Sequence, residues 1–367
     1  MSGPVGVAVV GCGTISTAYL RNLTSFPDLR VLFCADLDIE RAKAQAVAFD
    51  VPSAGSLAEA LAVPDVEIVV NLTVPAAHAE VSMAAIAAGK SVWVEKPLTL
   101  DTAPARDLLA AAAEAGVRIG CAPDTVLGAG LQTARRLIDS GTIGTPQTGL
   151  ALLQSPGPES WHPDPEFLFQ RGAGPLFDMG PYYLTALAVV FGPATHVAAL
   201  SGRSRQTRVI ATGPRAGTEF AVSVPTHVSA LISYAGGRVA TIVLSFDSPL
   251  RRSGFVEITG TTATLAMPDP NRFDGDVRVH ELGADSWSTV PASGAADGRG
   301  LGVLDLARGM RSGAPHRATG ELALHVLDIM TAIERSAATG EFEPVVTTFT
   351  RPDALAADWD PHAATIS

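Results

Sequence analysis

Lysine is scarce in this chain: three lysines stand among 26 basic residues in a sequence of 367. Charged residues of all kinds make up 17 %, against roughly 25 % in ordinary soluble domains. Alanine fills the gap, not long apolar stretches. No run of ~18 apolar residues occurs, and the longest candidate, residues 184–200, is broken by Gly192-Pro193, which excludes a membrane-spanning helix. Basic blocks are also missing and the net charge is −11, which excludes nucleic acid, because that affinity rests on phosphate neutralisation by Lys and Arg. The three cysteines, Cys12, Cys34 and Cys121, lie far apart without a CxxC. Neither a disulfide framework nor a zinc site is expected, and a reducing compartment fits. The remaining histidines, apart from those discussed below, show no metal-ligand spacing, so no metal is assigned. The first residues lack a charged segment followed by an apolar stretch and a cleavage site; no export signal is read, and the expected location is the cytoplasm.

What is present is a regular alternation. Over residues 1–121, short apolar segments (5–10, 30–35, 66–72, 91–94 and 117–121) alternate with Ala-, Leu- and Glu-rich ones (38–49, 76–88 and 101–115). Asp101 is placed to cap the last of these, Pro104 lies in its first turn and Gly116 follows its end. Apolar strands alternating with helices predict a doubly wound parallel sheet covered on both faces. Beyond Cys121 the texture changes. Helices are expected over 127–140, 174–191 and 321–338. Strands are expected over 146–154, 196–202, 222–235, 238–246, 255–259 and 264–267, with Gly236-Gly237 as a hairpin turn. This predicts an α+β region built on an open, mainly antiparallel sheet. Residues 213–217 and 291–299 read as exposed loops. The expected division is therefore 1–121, 122–345 and a tail of 346–367.

The segment Val7–Ser16, V-A-V-V-G-C-G-T-I-S, ends a strand and opens a helix. Gly11 and Gly13 take the first two positions of a G-x-G-x-x-G/A fingerprint and Ser16 the third. Gly11 allows the tight turn, and Gly13 lets main-chain N–H groups approach a pyrophosphate at a helix N-terminus, beside Thr14 and Ile15. Asp36, in C-A-D-L-D at the end of the second strand, is placed to bind both ribose hydroxyls of an adenosine; its charge repels a 2′-phosphate, so NAD is favoured over NADP. Asp38 is the helix cap beside it.

Glu95-Lys96-Pro97 follows the strand at 91–94. Ligands in such sheets bind beyond the carboxyl ends of strands, so Lys96 can point at the nicotinamide end of a cofactor. A lysine in a chain that otherwise uses arginine suits proton chemistry, because its pKa can shift. Pro97 fixes this turn and suits a cis bond. The alternative reading is a solvated lysine at a strand end.

The G-x-G-x-I-S loop, the N-L-T-x-P-x-x-H segment at 71–78, E-K-P, and G-A-G-P-L-F-D-M-G-P-Y-Y-L-T at 172–185 resemble, in this order, the motifs of the Gfo/Idh/MocA oxidoreductases. The similarity runs from residue 5 to about residue 340. It implies a Rossmann domain followed by a C-terminal α/β domain with an open sheet, used for substrate binding and homo-oligomer formation as a dimer or tetramer. By resemblance, Gly11, Gly13, Thr14, Ile15, Asp36, Thr73, His78, Glu95 and Lys96 bind the cofactor. Lys96, Asp178 and Tyr182 are the catalytic residues and also contact substrate. Asp178 and Tyr182 are spaced i, i+4 and share a helix face, whereas Tyr183 points about 100° away. Pro181 between them lacks an N–H and can bend the helix. Trp161 and His162, in S-W-H-P-D-P-E-F, are the further substrate candidates, Trp161 by stacking on a sugar ring and His162 by contact or proton relay; capping the loop is the alternative for His162. Thr185 stands where many relatives carry a second acid, and residues 122–126 lack the aromatic-and-arginine pattern common there.

The function expected from this is NAD(P)-dependent hydride transfer between nicotinamide and a secondary alcohol or ketone of a sugar, polyol or cyclitol. Tyr182 would exchange the proton and Lys96 would bind the same oxygen, or the roles would be reversed. Two other readings stay open: an enzyme that uses bound NAD transiently for elimination or glycoside cleavage, and a non-catalytic nucleotide-binding sensor.

Overall fold

A computed structural model describes residues 3–366. The chain divides into two units. The first comprises residues up to 132, 293–324 and 352 onward; the second comprises 133–292 and 325–351.

The first unit alternates β1 (Val5–Val10), α1 (Ser16–Leu23), β2 (Leu29–Ala35), α2 (Ile39–Ala48), β3 (Ser53–Gly55), α3 (Leu57–Ala62), β4 (Ile68–Asn71), α4 (His78–Ala87), β5 (Ser91–Val94), α5 (Thr102–Ala115) and β6 (Ile119–Cys121). The sheet is parallel throughout in the order β3-β2-β1-β4-β5-β6. β1, β4 and β5 are buried along their whole length, which is why they read as uninterrupted apolar runs. The strand order reverses direction between β1 and β4, the position where ligands enter sheets of this kind. Asp38 caps α2 by accepting the Arg41 N–H at 3.3 Å, and Gly116 ends α5 in the left-handed conformation, both as expected.

Helix α6 (Ala129–Asp139) contains the boundary between the units. The second unit continues with β7 (Pro146–Gln154), α7 (Gly174–Phe191), β8 (Ala194–Gly202), β9 (Thr207–Val209), β10 (Glu219–Ala221), β11 (His227–Tyr234), β12 (Val239–Ser245), β13 (Arg252–Gly260), β14 (Ala263–Met267), β15 (Val277–Glu281) and β16 (Ser288–Val290). After α8 (Leu301–Ser312) in the first unit come α9 (Gly320–Thr339) and β17 (Glu343–Pro344). The large sheet runs β16-β15-β14-β13-β7-β12-β11-β8-β17, antiparallel except for the parallel β7–β12 pair. The hairpin at Gly236-Gly237 is present, with φ of +76° at both glycines. Burial alternates along β11 and β12. Val228, Ala230, Ile232, Ile242 and Leu244 face inward, and α7 packs against this side.

The division into compact units differs from the expected 1–121, 122–345 and 346–367. Helix α8 and its flanks belong to the first unit because their partners lie there. Arg311 pairs with Glu67 at 2.5 Å and Arg308 with Asp28 at 2.8 Å. The last residues are not a separate appendage either: the Thr365 and Ile366 N–H groups both donate to Asp28, at 2.8 and 2.9 Å. Residues 213–217 are exposed as expected, but in the loop at 291–299 Ala295 is buried and Arg299 reaches Asp124 at 3.1 Å.

His325 on α9 gives the second unit a pH dependence. Its Nε2 accepts the Ala194 N–H at 2.9 Å, which places the proton on Nδ1, facing the Thr347 carbonyl and hydroxyl at 3.1 and 3.0 Å. Burial pushes its pKa down to about 4, against the opposing pull of Thr347 and Asp328. A histidine held neutral contributes stability that is complete above the unfolded value of 6.5 and is lost as pH falls toward 4. His325→Gln is expected to flatten the melting-temperature profile across that window; profiles parallel to wild type would contradict this.

Candidate cofactor and proton-transfer site

Gly11 sits at φ +94°, where its N–H donates to the Ala35 carbonyl at 2.8 Å. A Cβ there would lie 2.7 Å from the Leu72 carbonyl group, so no side chain fits. Gly13 differs: a Cβ built on it meets nothing within 4 Å. The space in front of its main chain is open, as a bound pyrophosphate requires. Ser16 is buried and its hydroxyl donates to the Gly13 carbonyl at 2.7 Å, fixing the loop on α1. Thr14 and Ile15 are exposed at the mouth of the loop.

Asp36 extends from the end of β2 and ties this loop down. Its Oδ2 accepts the Cys12 N–H at 2.7 Å and its Oδ1 the Asp38 N–H at 2.9 Å. The Arg41 guanidinium stands 3.6 Å from Oδ1. The open Gly13 main chain, the helix start behind it and a carboxylate at the end of β2 fit an NAD dinucleotide.

Across the switch point, Thr73 follows β4, its hydroxyl donating to the Asn71 side chain at 2.6 Å. Next in the sheet, β5 ends in Glu95-Lys96-Pro97, with a cis Lys96-Pro97 bond. Glu95 and Lys96 are half-buried. Both Glu95 oxygens are engaged: Oε1 accepts the Tyr19 hydroxyl at 2.8 Å and Oε2 the Lys96 N–H at 3.0 Å. Tyr19 in turn accepts the Trp93 indole N–H at 3.2 Å. Burial, with Glu95 alongside, pushes the Tyr19 hydroxyl well above its usual pKa, so it remains a donor. Glu95 thus clamps the turn that carries Lys96. His78 is fully buried; its Nδ1 lies 2.7 Å from the Pro97 carbonyl and its Nε2 3.0 Å from that of Thr73. This corrects the expected cofactor contact: with no exposed surface, its ring bonds only the main chain of the segments that follow β4 and β5.

In the second unit α7 runs unbroken through Pro181, so Asp178 and Tyr182 share a face as expected. Asp178 is half-buried and Tyr182 is buried. Tyr183 is fully buried, and its oxygen accepts the Gly254 N–H at 2.9 Å; burial pushes its hydroxyl up, and its role is packing. Trp161 is exposed and its ring meets that of His162 edge-on, which meets Phe167 likewise. The His162 Nδ1 accepts the Asp164 N–H at 3.0 Å, which caps the loop and leaves Nε2 for other contacts. Lys96 therefore lies in the first unit with the nucleotide loop, and Asp178, Tyr182, Trp161 and His162 lie in the second.

Sequence reasoning missed two buried charge clusters. Asp124, fully buried, accepts from Arg299 at 3.1 Å and from the Gly300 N–H at 2.8 Å; burial raises its pKa, with Arg299 opposing. In the second unit Arg208 is buried between Glu159 and Asp247, beneath the loop that carries Trp161. These partners are separated by tens to hundreds of residues, and no local pattern announces them.

Comparison with known proteins bears on this geometry. The family model described as "Oxidoreductase family, NAD-binding Rossmann fold" matches residues 5–122, and the GFO/IDH/MocA C-terminal domain matches residues 131–266. The chain belongs to the GFO/IDH/MocA oxidoreductase family. Residues 5–122 are that family's NAD-binding Rossmann domain. An uncharacterised oxidoreductase from Rhizobium meliloti is 28 % identical over 94 % of this chain and 98 % of its own. The trans-1,2-dihydrobenzene-1,2-diol dehydrogenase of Mus musculus is 28 % identical over 70 % of this chain and 73 % of its own. A levoglucosan dehydrogenase solved with NADH and L-sorbose shares the fold, with a TM-score of 0.82 and 20 % identity, covering 94 % of this chain and all (100 %) of that one. Among the described residues of this family member, no helix is long and apolar enough to cross a membrane.

Proposed function

We propose that this GFO/IDH/MocA protein is an NAD-dependent dehydrogenase or reductase acting on a secondary alcohol, or the matching ketone, of a ring-shaped polyol, cyclitol or sugar. The observation that carries the reading is the clamped Lys96 turn at the carboxyl end of β5, one strand from the switch point and in the same unit as the open Gly13 main chain. The relatives named for a dihydrodiol and for levoglucosan support a hydroxylated ring as the substrate class.

NAD, when bound, supplies the hydride acceptor at nicotinamide C4. The chain's own residues handle the rest. The Lys96 ammonium binds the reacting oxygen, and the Tyr182 hydroxyl exchanges that oxygen's proton as general acid and base. Asp178, one helical turn before Tyr182, orients a substrate hydroxyl. Trp161 offers a face for the ring and His162 its Nε2. Asp36 selects NAD over NADP by its charge, despite Arg41 nearby. The test is turnover of NAD with a panel of cyclitols and anhydrosugars; NAD bound tightly with no turnover across the panel would favour the sensor reading.

A second copy of the chain is the proposed partner of the outward face of the large sheet. Leu200, Leu231 and Val239 are 73 %, 53 % and 45 % exposed there, opposite the side covered by α7. An apolar face of this kind marks an interface. Leu231→Asp is expected to shift a sedimenting dimer or tetramer to monomer at micromolar concentration. Wild type sedimenting as monomer would contradict it.

A further inference from the structure

We propose that His78 is a positioning residue that links the Thr73 segment to the Lys96-Pro97 turn and sets where the Lys96 ammonium stands. The inference rests on the reading of Lys96 given above and adds a residue to that site.

His78 opens α4 and has no exposed surface, so it reaches neither cofactor nor substrate directly. Its ring instead lies between two main-chain carbonyls, Pro97 at 2.7 Å and Thr73 at 3.0 Å. These belong to the two segments that leave the ends of β5 and β4. Pro97 has no N–H, so its carbonyl is the only main-chain hydrogen-bonding group it has for fixing this turn. His78 takes that carbonyl, while Glu95 takes the N–H of Lys96 from the other side. The backbone of Lys96 is thereby held before and after its side chain.

The geometry also couples the two segments. A neutral imidazole carries one N–H, yet both neighbours here are acceptors. Burial lowers the pKa of His78, and the two carbonyls and Glu95 pull it back. With one proton, the ring donates to Pro97 or to Thr73 at a given moment. Any shift of the Thr73 segment therefore changes the hold on the lysine turn. Asn71 holds the same two residues, His78 and Thr73: its amide donates to the His78 carbonyl at 3.1 Å and its oxygen accepts from the Thr73 hydroxyl.

The chain's three lysines make a direct test possible. Reductive methylation with ¹³C-formaldehyde labels Lys43, Lys90 and Lys96, and each can be assigned by substitution to arginine. Lys90 is anchored on the Val63 carbonyl at 3.1 Å and Lys43 on Glu40, so both report general disturbance of the same unit. In His78→Leu, which removes both ring contacts, the Lys96 methyl resonance and its titration midpoint are expected to move while those of Lys43 and Lys90 stay in place. His78→Gln, which keeps a donor, is expected to restore most of the wild-type Lys96 signal. An unmoved Lys96 signal in a folded His78→Leu protein would overturn the proposal. If that variant does not fold, His78→Asn, whose shorter amide cannot span the two carbonyls, carries the test, and a wild-type Lys96 signal in it would overturn the proposal equally. The reading of Lys96 fails separately, if Lys96→Met turns over at the wild-type rate whatever the resonances do.

Discussion

Gly13→Val is expected to abolish NAD binding and leave the melting temperature near that of wild type. The added side chain enters space that is open within 4 Å of the glycine, so the fold has no reason to resist it. On the proposed nucleotide site the pyrophosphate oxygens take that space, so the added side chain displaces them. A loss of at least about 100-fold in affinity, ~2.7 kcal/mol, is expected by calorimetry. Gly11→Val should behave in the opposite order. Its side chain would be driven into the Leu72 carbonyl from a backbone at φ +94°. The left-handed conformation costs roughly 1–2 kcal/mol and the overpacking about 1–3 more, so this variant should first of all melt lower. Unchanged NAD affinity in Gly13→Val would remove the nucleotide-site assignment.

The second large effect concerns the proton. Tyr182→Phe removes one hydroxyl from a buried side chain and is expected to slow turnover by about 10²–10⁴-fold, the usual worth of general acid–base catalysis, with NAD affinity retained. Lys96→Met keeps the stem and removes the charge. It should slow turnover comparably, since the ammonium proposed to bind the reacting oxygen is gone. A packing role would give another pattern, with Tyr182→Phe almost silent and Lys96→Met altering melting instead of rate. Near-wild-type turnover by Tyr182→Phe would transfer the proton to Lys96 or His162.

The sequence carried those parts of the molecule whose physics is local. The buried parallel strands β1 and β5 appear as apolar runs with the observed ends, because a strand covered on both faces has no polar side to show. Gly116, Asp38 and the Gly236-Gly237 turn were legible for the same reason: each satisfies a backbone requirement within a few residues. β3 and α3 were too short to stand out. The strand expected over 222–235 begins only at His227, since Val222 and Ser223 pair with Gln206 and Phe169 outside the large sheet. The site divides along the same line. Gly11, Gly13 and Asp36 were read from the fingerprint, and Asp178 with Tyr182 from the family resemblance, periodicity adding only that the two share a helix face. The Glu95 clamp needs Tyr19 from a distant helix. The His78 ring meets the Pro97 carbonyl, 19 positions along the chain. Asp124 meets Arg299 across 175. Long-range pairing of this kind leaves no periodic trace. The return of the chain to the first unit at 293–324 and from 352 onward was missed likewise, although the apolar pattern of Leu301–Ser312 was there to be read as a helix.

The central claim is that this chain moves a hydride between a ring carbon bearing a hydroxyl and NAD. The most direct measurement is mass spectrometry of the nicotinamide after incubation of the protein and NAD with cyclitols and anhydrosugars deuterated at carbon. It detects transfer when the reduced coenzyme accumulates or is released. The account predicts deuterium in the nicotinamide with at least one ring polyol, and none with Lys96→Met or Tyr182→Phe in the same time. An unlabelled nicotinamide across the panel, with NAD demonstrably bound, would contradict it.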